Sequence, residues 1–402
     1  MITFADNKNH LFFSTHRKMK IAYVFSTLAK TGGTERMITE KANIFAESFG
    51  YDVTIINLFQ QDKDANHYLL SNKVKQLNIG IPYFSQYHYK YPKRLWIKWQ
   101  LNRQTKQNIK QYVQKVDPDI LIGISFFKAD YVSKVKCKAI KIIESHEAKP
   151  FTYSGLNMQQ NCITRIYQKI KRVCYFRTVE RNVDAIVTLT EGDKMLWKRA
   201  KRVEVITNFS TMPVSQYSDC TPKRVIAAGR LAWEKGFGRL VQAWSIVSTK
   251  HPDWHLVIFG EGNMYNTLQT LLKIYKTKNV FFHNFTSAIS QEYAKSSICA
   301  VTSYFEGFSL VLLEAMKHGV PCVAFDCPFG PRSIINDCYN GFLVDDGDIR
   351  RYADRLCRLI EDENLRKDFS AKAIEKSKSF DVDSIMRQWK ALFEQMTNNV
   401  TV

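Results

Sequence analysis

No apolar run in this 402-residue chain approaches the length of about 20 residues that crosses a bilayer. The short apolar stretch Leu11 to Phe13 is too brief for a signal-peptide core, so the expected location is cytoplasmic, with at most a peripheral hold on the cytoplasmic face of the membrane. The nine cysteines are scattered, without a Cys-x-x-Cys pair or a Cys/His cluster at zinc spacing. That pattern favours buried free thiols over a disulfide framework or a metal site. Acids are also missing where bases gather. Between Asp64 and Asp117 there is no carboxylate, while Lys90, Lys93, Arg94, Lys98, Arg103, Lys106, Lys110 and Lys115 accumulate beside Tyr87, Tyr89, Tyr91, Trp96 and Trp99. With a net charge of +20, such a face attracts polyanions. No nucleic-acid-binding motif accompanies it, so no nucleic-acid partner is expected. An anionic membrane surface meeting the basic face 90–115 fits the mixture of Trp, Tyr and cations. A solvated basic helix with some core aromatics is the plainer alternative.

What the chain does have is a globular composition, 45% hydrophobic and 24% charged, at a length that implies two domains. Residues 1–18 lack periodicity and read as an N-terminal extension, with Met19 a candidate start. MKIAYVFS then opens a strand–loop–helix–strand series, continued by YDVTIINL, DPDILIGIS, AIKIIESH and AIVTLT, which predicts a parallel sheet over 19–209. Residues 210–223 are rich in Ser, Thr and Pro and read as a linker. A second series over 224–379 runs through RVIAAGRL, WHLVIFG, NVFFHNF, ICAVTS and PCVAFD. Residues 380–402 carry a closing helix with Ile385, Trp389, Leu392 and Met396 at helical spacing. The expected fold class is α/β, two Rossmann-like doubly wound domains facing a central cleft. A basic segment, Thr164 to Arg181, spaces Ile166, Ile170, Val173 and Phe176 as one face of an ordinary amphipathic helix, with membrane contact the alternative.

The densest motif is VTSYFEGFSLVLLEAMKHGVPCVA, from Val301 to Ala324. It reads as a buried strand, a turn and a helix over Leu310 to Lys317, stopped by Gly319 and Pro321. A helix starting beside Ser309 aims unpaired N–H groups and its positive dipole end into the crevice at the carboxyl end of the sheet, a seat for a diphosphate. Glu314 lies about 7 to 8 Å along the helix from Ser309, and Glu306 precedes it. Two carboxylates flanking an N–H cluster can accept the hydroxyls of a ribose and a hexose, and so bracket a sugar nucleotide. In GRLAWEKGFGRLVQAW, Arg230 ends a strand and Lys235 follows in the loop, a planar fork and a compact charge for two phosphates. An Arg230–Glu234 surface pair is the alternative there.

Together these segments resemble the retaining glycosyltransferases of family 4, of the GT-B fold, over nearly the whole chain after Met19. The resemblance implies donor binding by Gly32 and Gly33 of TGGTER, by Arg230 and Lys235, by Gly307, Phe308, Ser309, Leu310 and Val311, and by Glu314 at the ribose. It implies catalytic contacts from Glu306 and from His146 of IIESHEAKP, and a nucleobase region at Gly260 of FGEG and Phe285 of HNFTS. The segment DCPFGPRS resembles a run found in members using UDP-hexoses or UDP-N-acetylhexosamines, with Ser333 where a Glu is usual. VITNF at Val205 to Phe209 departs from the usual Ile-Pro-Asn-Pro. The implied reaction moves a hexose or N-acetylhexosamine from a nucleotide donor, UDP-linked on this reading, to a hydroxyl of a growing glycan, soluble or lipid-linked, in cell-surface polysaccharide or lipopolysaccharide assembly. No cofactor is implied. Asp117 to Asp119 and Asp381 to Asp383 do not resemble metal–diphosphate sites, so no metal is expected. A nucleotide-sugar epimerase of the same architecture and a basic nucleic-acid-binding protein are the competing readings.

Overall fold

The computed structural model describes residues 17–125, 128–149 and 162–398. All of the expected N-terminal extension except its last two residues, and the end of the C-terminal tail, lie outside the described residues. The first domain holds β1 (Lys20–Phe25), β2 (Asp52–Asn57), β3 (Lys75–Asn78), β4 (Ile120–Ile124), β5 (Ile140–Ser145), β6 (Ala185–Thr188) and β7 (Val203–Val205). They form one parallel sheet in the order β3-β2-β1-β4-β5-β6-β7. The second contains β8 (Arg224–Ala228), β9 (His255–Phe259), β10 (Val280–His283), β11 (Ile298–Val301), β12 (Cys322–Phe325) and β13 (Gly341–Val344), in the order β10-β9-β8-β11-β12-β13. Central strands such as IAYVF and ICAV are buried along their length, as strands covered by helices on both faces must be. The fold is GT-B, two Rossmann-like domains.

Chain order reverses between β1 and β4 in the first sheet and between β8 and β11 in the second. At these points neighbouring crossovers leave toward opposite faces and open a crevice at the carboxyl ends of the strands. The loops after β1, β5, β8 and β11 contain Gly32, with Gly33 opening the next helix, then His146, Arg230 and Lys235, and Glu306 to Ser309, so all four reach the cleft edges.

In the first domain the helices are α1 (Gly33–Glu47), α2 (Lys93–Val116), α3 (Ala129–Ser133), α4 (Cys162–Asn182) and α5 (Glu191–Lys194). The second has α6 (Phe237–Lys250), α7 (Tyr265–Ile274), α8 (Ile289–Ala294), α9 (Leu310–Lys317), α10 (Ile349–Glu361) and α11 (Glu363–Ser377), followed by α12 (Val382–Asn398). Asp381 caps α12 by accepting from the Ser384 backbone N–H. That helix returns to the first domain, where Trp389 and Phe393 pack on Phe45 of α1 with ring centroids 6.4 and 5.2 Å apart.

The apolar stripe expected along α4 is only partly covered by protein. The structure buries Phe176 of α4 with Tyr175 and Val179, but leaves Ile166, Ile170 and Val173 exposed. At 21 residues α4 is about 31 Å long, while its neighbour β5 spans about 20 Å, so the sheet cannot cover the helix's first half.

Candidate active site

The start of α9 is built as an anion seat. Ser309 precedes the helix at φ 78°, a left-handed conformation unfavourable for a side chain with a Cβ, and its side chain makes no cap. Its Oγ is buried and has no hydrogen-bond partner, so a hydroxyl and the first N–H groups of α9 face the same space unsatisfied. Across the cleft, α1 begins at Gly33 so close that a Cβ there would lie 3.2 Å from Leu310 Cδ1. Two helix N-termini therefore converge from opposite domains, each contributing the positive end of its dipole.

Charged side chains surround this point in pairs. Lys235 Nζ lies 2.7 Å from Glu306 Oε1, which also accepts from Ser303 Oγ at 2.6 Å. Glu314, buried on α9, accepts from Arg36 of α1 at 2.5 Å, and Tyr293 Oη lies 3.4 Å from its other oxygen. Burial raises the pKa of Glu314, with Arg36 opposing and Glu40 adding to the rise. Arg230 is 68% exposed and pairs with Glu234 at 2.8 Å. The sequence reading assigns Arg230 and Lys235 to the two phosphates of a diphosphate; here each holds a neighbouring carboxylate.

His146 directly follows β5 and its backbone meets Gly307 from the other domain: a Cβ on Gly307 would stand 2.0 Å from the His146 carbonyl oxygen. Its Nε2 lies 2.7 Å from Glu144, which is also bonded by Lys41 of α1 and by Tyr23 Oη. Burial alone would raise Glu144, but Lys41 and His146 outweigh it and hold the carboxyl at about 2. Burial lowers His146, with Glu144 opposing. The imidazole is therefore neutral near pH 7, its Nε2–H donates to the ionised Glu144, and Nδ1 is left as an acceptor.

Replacing Lys41 with Met strands a buried carboxylate, and urea unfolding should show a loss of about 3 to 5 kcal/mol. A loss below about 1 kcal/mol would mean the pair is not buried as described. The wild type should also be acid-labile. Between the ordinary histidine value of 6.5 and the lowered value of His146, the unfolded chain binds the extra proton, so stability falls as pH drops. It falls again below 4.5, toward about 2, as unfolded carboxylates protonate before Glu144.

The remaining expected positions separate into side chains and backbone. Phe308 is 2% exposed and packs edge-on against Phe380 at 5.4 Å, so only its backbone is placed for a ligand. Leu310 and Val311 are half-buried at the helix start. Gly260 has φ 150°, and a Cβ there would strike the Gly229 carbonyl oxygen at 1.9 Å. Phe285 is half-exposed, donates its backbone N–H to Glu261 Oε1 at 3.3 Å, and meets His67 of the first domain edge-on at 5.3 Å. Gly330 of DCPFGPRS presses on the Glu306 side chain, with a Cβ–Cβ separation of 2.7 Å if it were alanine. Ser333 donates to the Phe329 carbonyl at 3.2 Å.

Sequence reasoning missed Arg36, the Lys41–Glu144 pair, Glu35 and Glu147. Burial raises both Glu35 and Glu147, and Arg230 opposes both shifts from nearby. Lys41 was detectable: it lies on the buried face of α1 with Met37, Ile38, Ala42 and Phe45, where a lysine requires a partner. Among the described residues, the one His/Cys/carboxylate group close enough to share a metal is His251, Cys357 and Glu361. His251 follows the C-terminus of α6, at the edge of the sheet opposite the cleft.

Residues 211–376 match the family of glycosyl transferases group 1. That match falls on the second domain. An uncharacterised glycosyltransferase of Haemophilus influenzae is 29% identical over 388 residues, 93% of this chain and 99% of its own. The amylovoran biosynthesis glycosyltransferase AmsD of Erwinia amylovora is 27% identical over 381 residues, 92% of this chain and 98% of its own. A Campylobacter jejuni enzyme named as an α-1,4-N-acetyl-D-galactosaminyltransferase for an undecaprenol-diphosphate-linked glycan is 25% identical over 385 residues, 94% and 99% of the two chains. Among solved structures, sucrose-phosphate synthase of Thermosynechococcus elongatus aligns with a TM-score of 0.79 at 16% identity, covering 95% of this chain and 100% of that one. HepE of Anabaena in complex with UDP aligns with a TM-score of 0.70 at 17% identity, covering 94% and 100%. These structural likenesses establish the fold.

Proposed function

We propose that this glycosyltransferase is a retaining, metal-independent enzyme of family 4. It transfers a hexose or N-acetylhexosamine from a UDP-linked donor to a hydroxyl of a growing, lipid-linked glycan in cell-surface polysaccharide assembly. The observation that carries the reading is the meeting of the α1 and α9 N-termini around the unpartnered Ser309 Oγ, with Lys235 and Arg230 beside it. The names of AmsD and of the Campylobacter enzyme support a glycan acceptor, and the UDP complex of HepE supports the donor nucleotide.

The donor diphosphate takes the helix N-termini, Lys235 and Arg230 as partners. Glu314 turns from Arg36 to the ribose hydroxyls, and Glu306 turns from Lys235 to the hexose. As the bond between the anomeric carbon and the diphosphate breaks, its electron pair stays on the phosphate oxygen. Preplaced N–H groups and cations stabilise that charge without reorganising. The departing oxygen then accepts the acceptor's proton on the face where the new bond forms, which retains configuration. His146, neutral and fixed by Glu144, accepts a hydrogen bond from a sugar hydroxyl through Nδ1.

Incubation with UDP-glucose, UDP-galactose and their N-acetylamino counterparts, with undecaprenol-diphosphate glycans as acceptors, tests the proposal. Released UDP with transferred sugar supports it; an epimerised donor favours the epimerase, and neither product removes both. Excess EDTA should leave the rate unchanged, because cationic side chains and helix dipoles supply the charge at the diphosphate. Strict dependence on added Mg²⁺ or Mn²⁺ would contradict this.

A further inference from the structure

We infer that the N-terminal halves of α2 and α4 together form a docking surface for an anionic lipid bilayer, placed at the mouth of the cleft. The inference rests on the proposed lipid-linked acceptor for its purpose, but on separate observations for its existence.

α2 and α4 cover the same face of the first sheet, where Ile109 and Val113 of one and Tyr175, Phe176 and Val179 of the other share a core with Val132 of α3. Both helices end within a few residues of the next strand's start, at the amino edge of the sheet. Their N-termini therefore point to the carboxyl edge, where the cleft lies. α2 is about 36 Å long, and its buried residues begin only at Leu101; in α4 the described residues are exposed or half-buried until Tyr175. The first turns of both project beyond the strands.

These projecting turns carry unusual side chains. Trp96 is 57% exposed and Trp99 58%; Ile166 is 54% and Ile170 58%. The sequence has no acid between Asp64 and Asp117, and none between Glu147 and Glu180, so both overhangs are acid-free. Arg94 and Lys93 lie over the rings of Tyr87 and Tyr89, at 4.5 and 4.8 Å, which assembles cations and aromatics into one layer. Lys128 lies between the two helices. Burial lowers Lys128, beside α3, to about 8, with Asp130 opposing and Lys171 of α4 and Lys106 of α2 adding to the fall. Exposed isoleucine and tryptophan among cations, with no carboxylate to repel phosphate, match the apolar boundary and negative surface of an anionic bilayer. A nucleic acid would use the cations but not the isoleucines.

Cosedimentation with vesicles tests the surface, using phosphatidylcholine alone and phosphatidylcholine mixed with phosphatidylglycerol. The protein should bind the mixed vesicles and release at high salt. Ile166→Ser with Ile170→Ser, and separately Trp96→Ser with Trp99→Ser, should weaken partition by about tenfold or more. Changing Lys93, Arg94, Lys98 and Arg103 to Gln should weaken it by about a hundredfold. Ile274→Ser, exposed on α7 of the other domain, is the control and should bind like the wild type. Equal binding to both vesicles, no binding, or wild-type binding by the α4 variant overturns the surface, as does retention on an RNA oligonucleotide without vesicle binding. UDP release with a soluble glycan acceptor is measured in parallel and should be unchanged in the Ile166 and Ile170 variant. If no protein turns over any donor while vesicle binding behaves as described, the transferase reading falls and the docking surface stands.

Discussion

Glu314→Ala and Lys235→Ala each lower kcat/KM by about 30- to 4,000-fold, the equivalent of about 2 to 5 kcal/mol for removing one partner of a desolvated charge pair. The ion pairs at the cleft explain why the effect should fall on catalysis. Glu314 is held by Arg36, and Lys235 by Glu306, so each side chain already points into the cleft with a partner the donor can replace. Arg36 retains Glu40 at 2.7 Å when Glu314 is removed, and Glu306 retains Ser303 when Lys235 is removed, so neither change leaves a wholly unpaired charge. Initial rates with the active donor, beside thermal unfolding, separate the two effects. Both variants turning over like the wild type would remove these residues from the site. Glu314→Gln, which keeps shape and loses charge, should follow Glu314→Ala rather than the wild type.

Gly307→Ala reduces kcat by about a hundredfold while each domain stays folded. The new Cβ would lie 2.0 Å from the His146 carbonyl oxygen, backbone against backbone, so no flexible side-chain end can yield. The loop holding Glu306 and the loop holding His146 must separate by about an ångström or more, and a misplacement of that size between reacting groups costs about two orders of magnitude. Circular dichroism and the unfolding temperature should change little. An alanine variant with wild-type kcat would show that the two loops need not touch during turnover.

Both predictions concern residues that the sequence displays, and the reason is local. α9 runs over Leu310 to Lys317, as its apolar spacing and the Gly319 stop require, and Gly319 takes a left-handed φ of 73°. The strand series of both domains was readable because buried parallel strands are continuous apolar runs. The edge strands were less legible: KQLN of β3 and VEV of β7 are short and polar or half-buried, with nothing to distinguish them from loop, and GFLV of β13, apolar but only four residues long, was not among the expected strands. Long-range pairing was equally hidden. Arg36 and Glu314 are 278 positions apart, and no local pattern announces a partner in the other domain. In α4 the spacing of Ile166, Ile170 and Val173 was read correctly as a stripe, but periodicity reports only that apolar residues share a face. Whether protein covers that face depends on how far the helix outruns the sheet.

The central claim is that the converging helix N-termini and Lys235 seat a diphosphate. Calorimetric titration of UDP and of uridine into the wild type and Lys235→Ala tests it directly. The account predicts that UDP binds the wild type at least about 30-fold more tightly than uridine, as two or more charge-assisted hydrogen bonds require, and that the gap narrows about tenfold in the variant. UDP and uridine binding with equal affinity, or a gap untouched by the loss of Lys235, would contradict it.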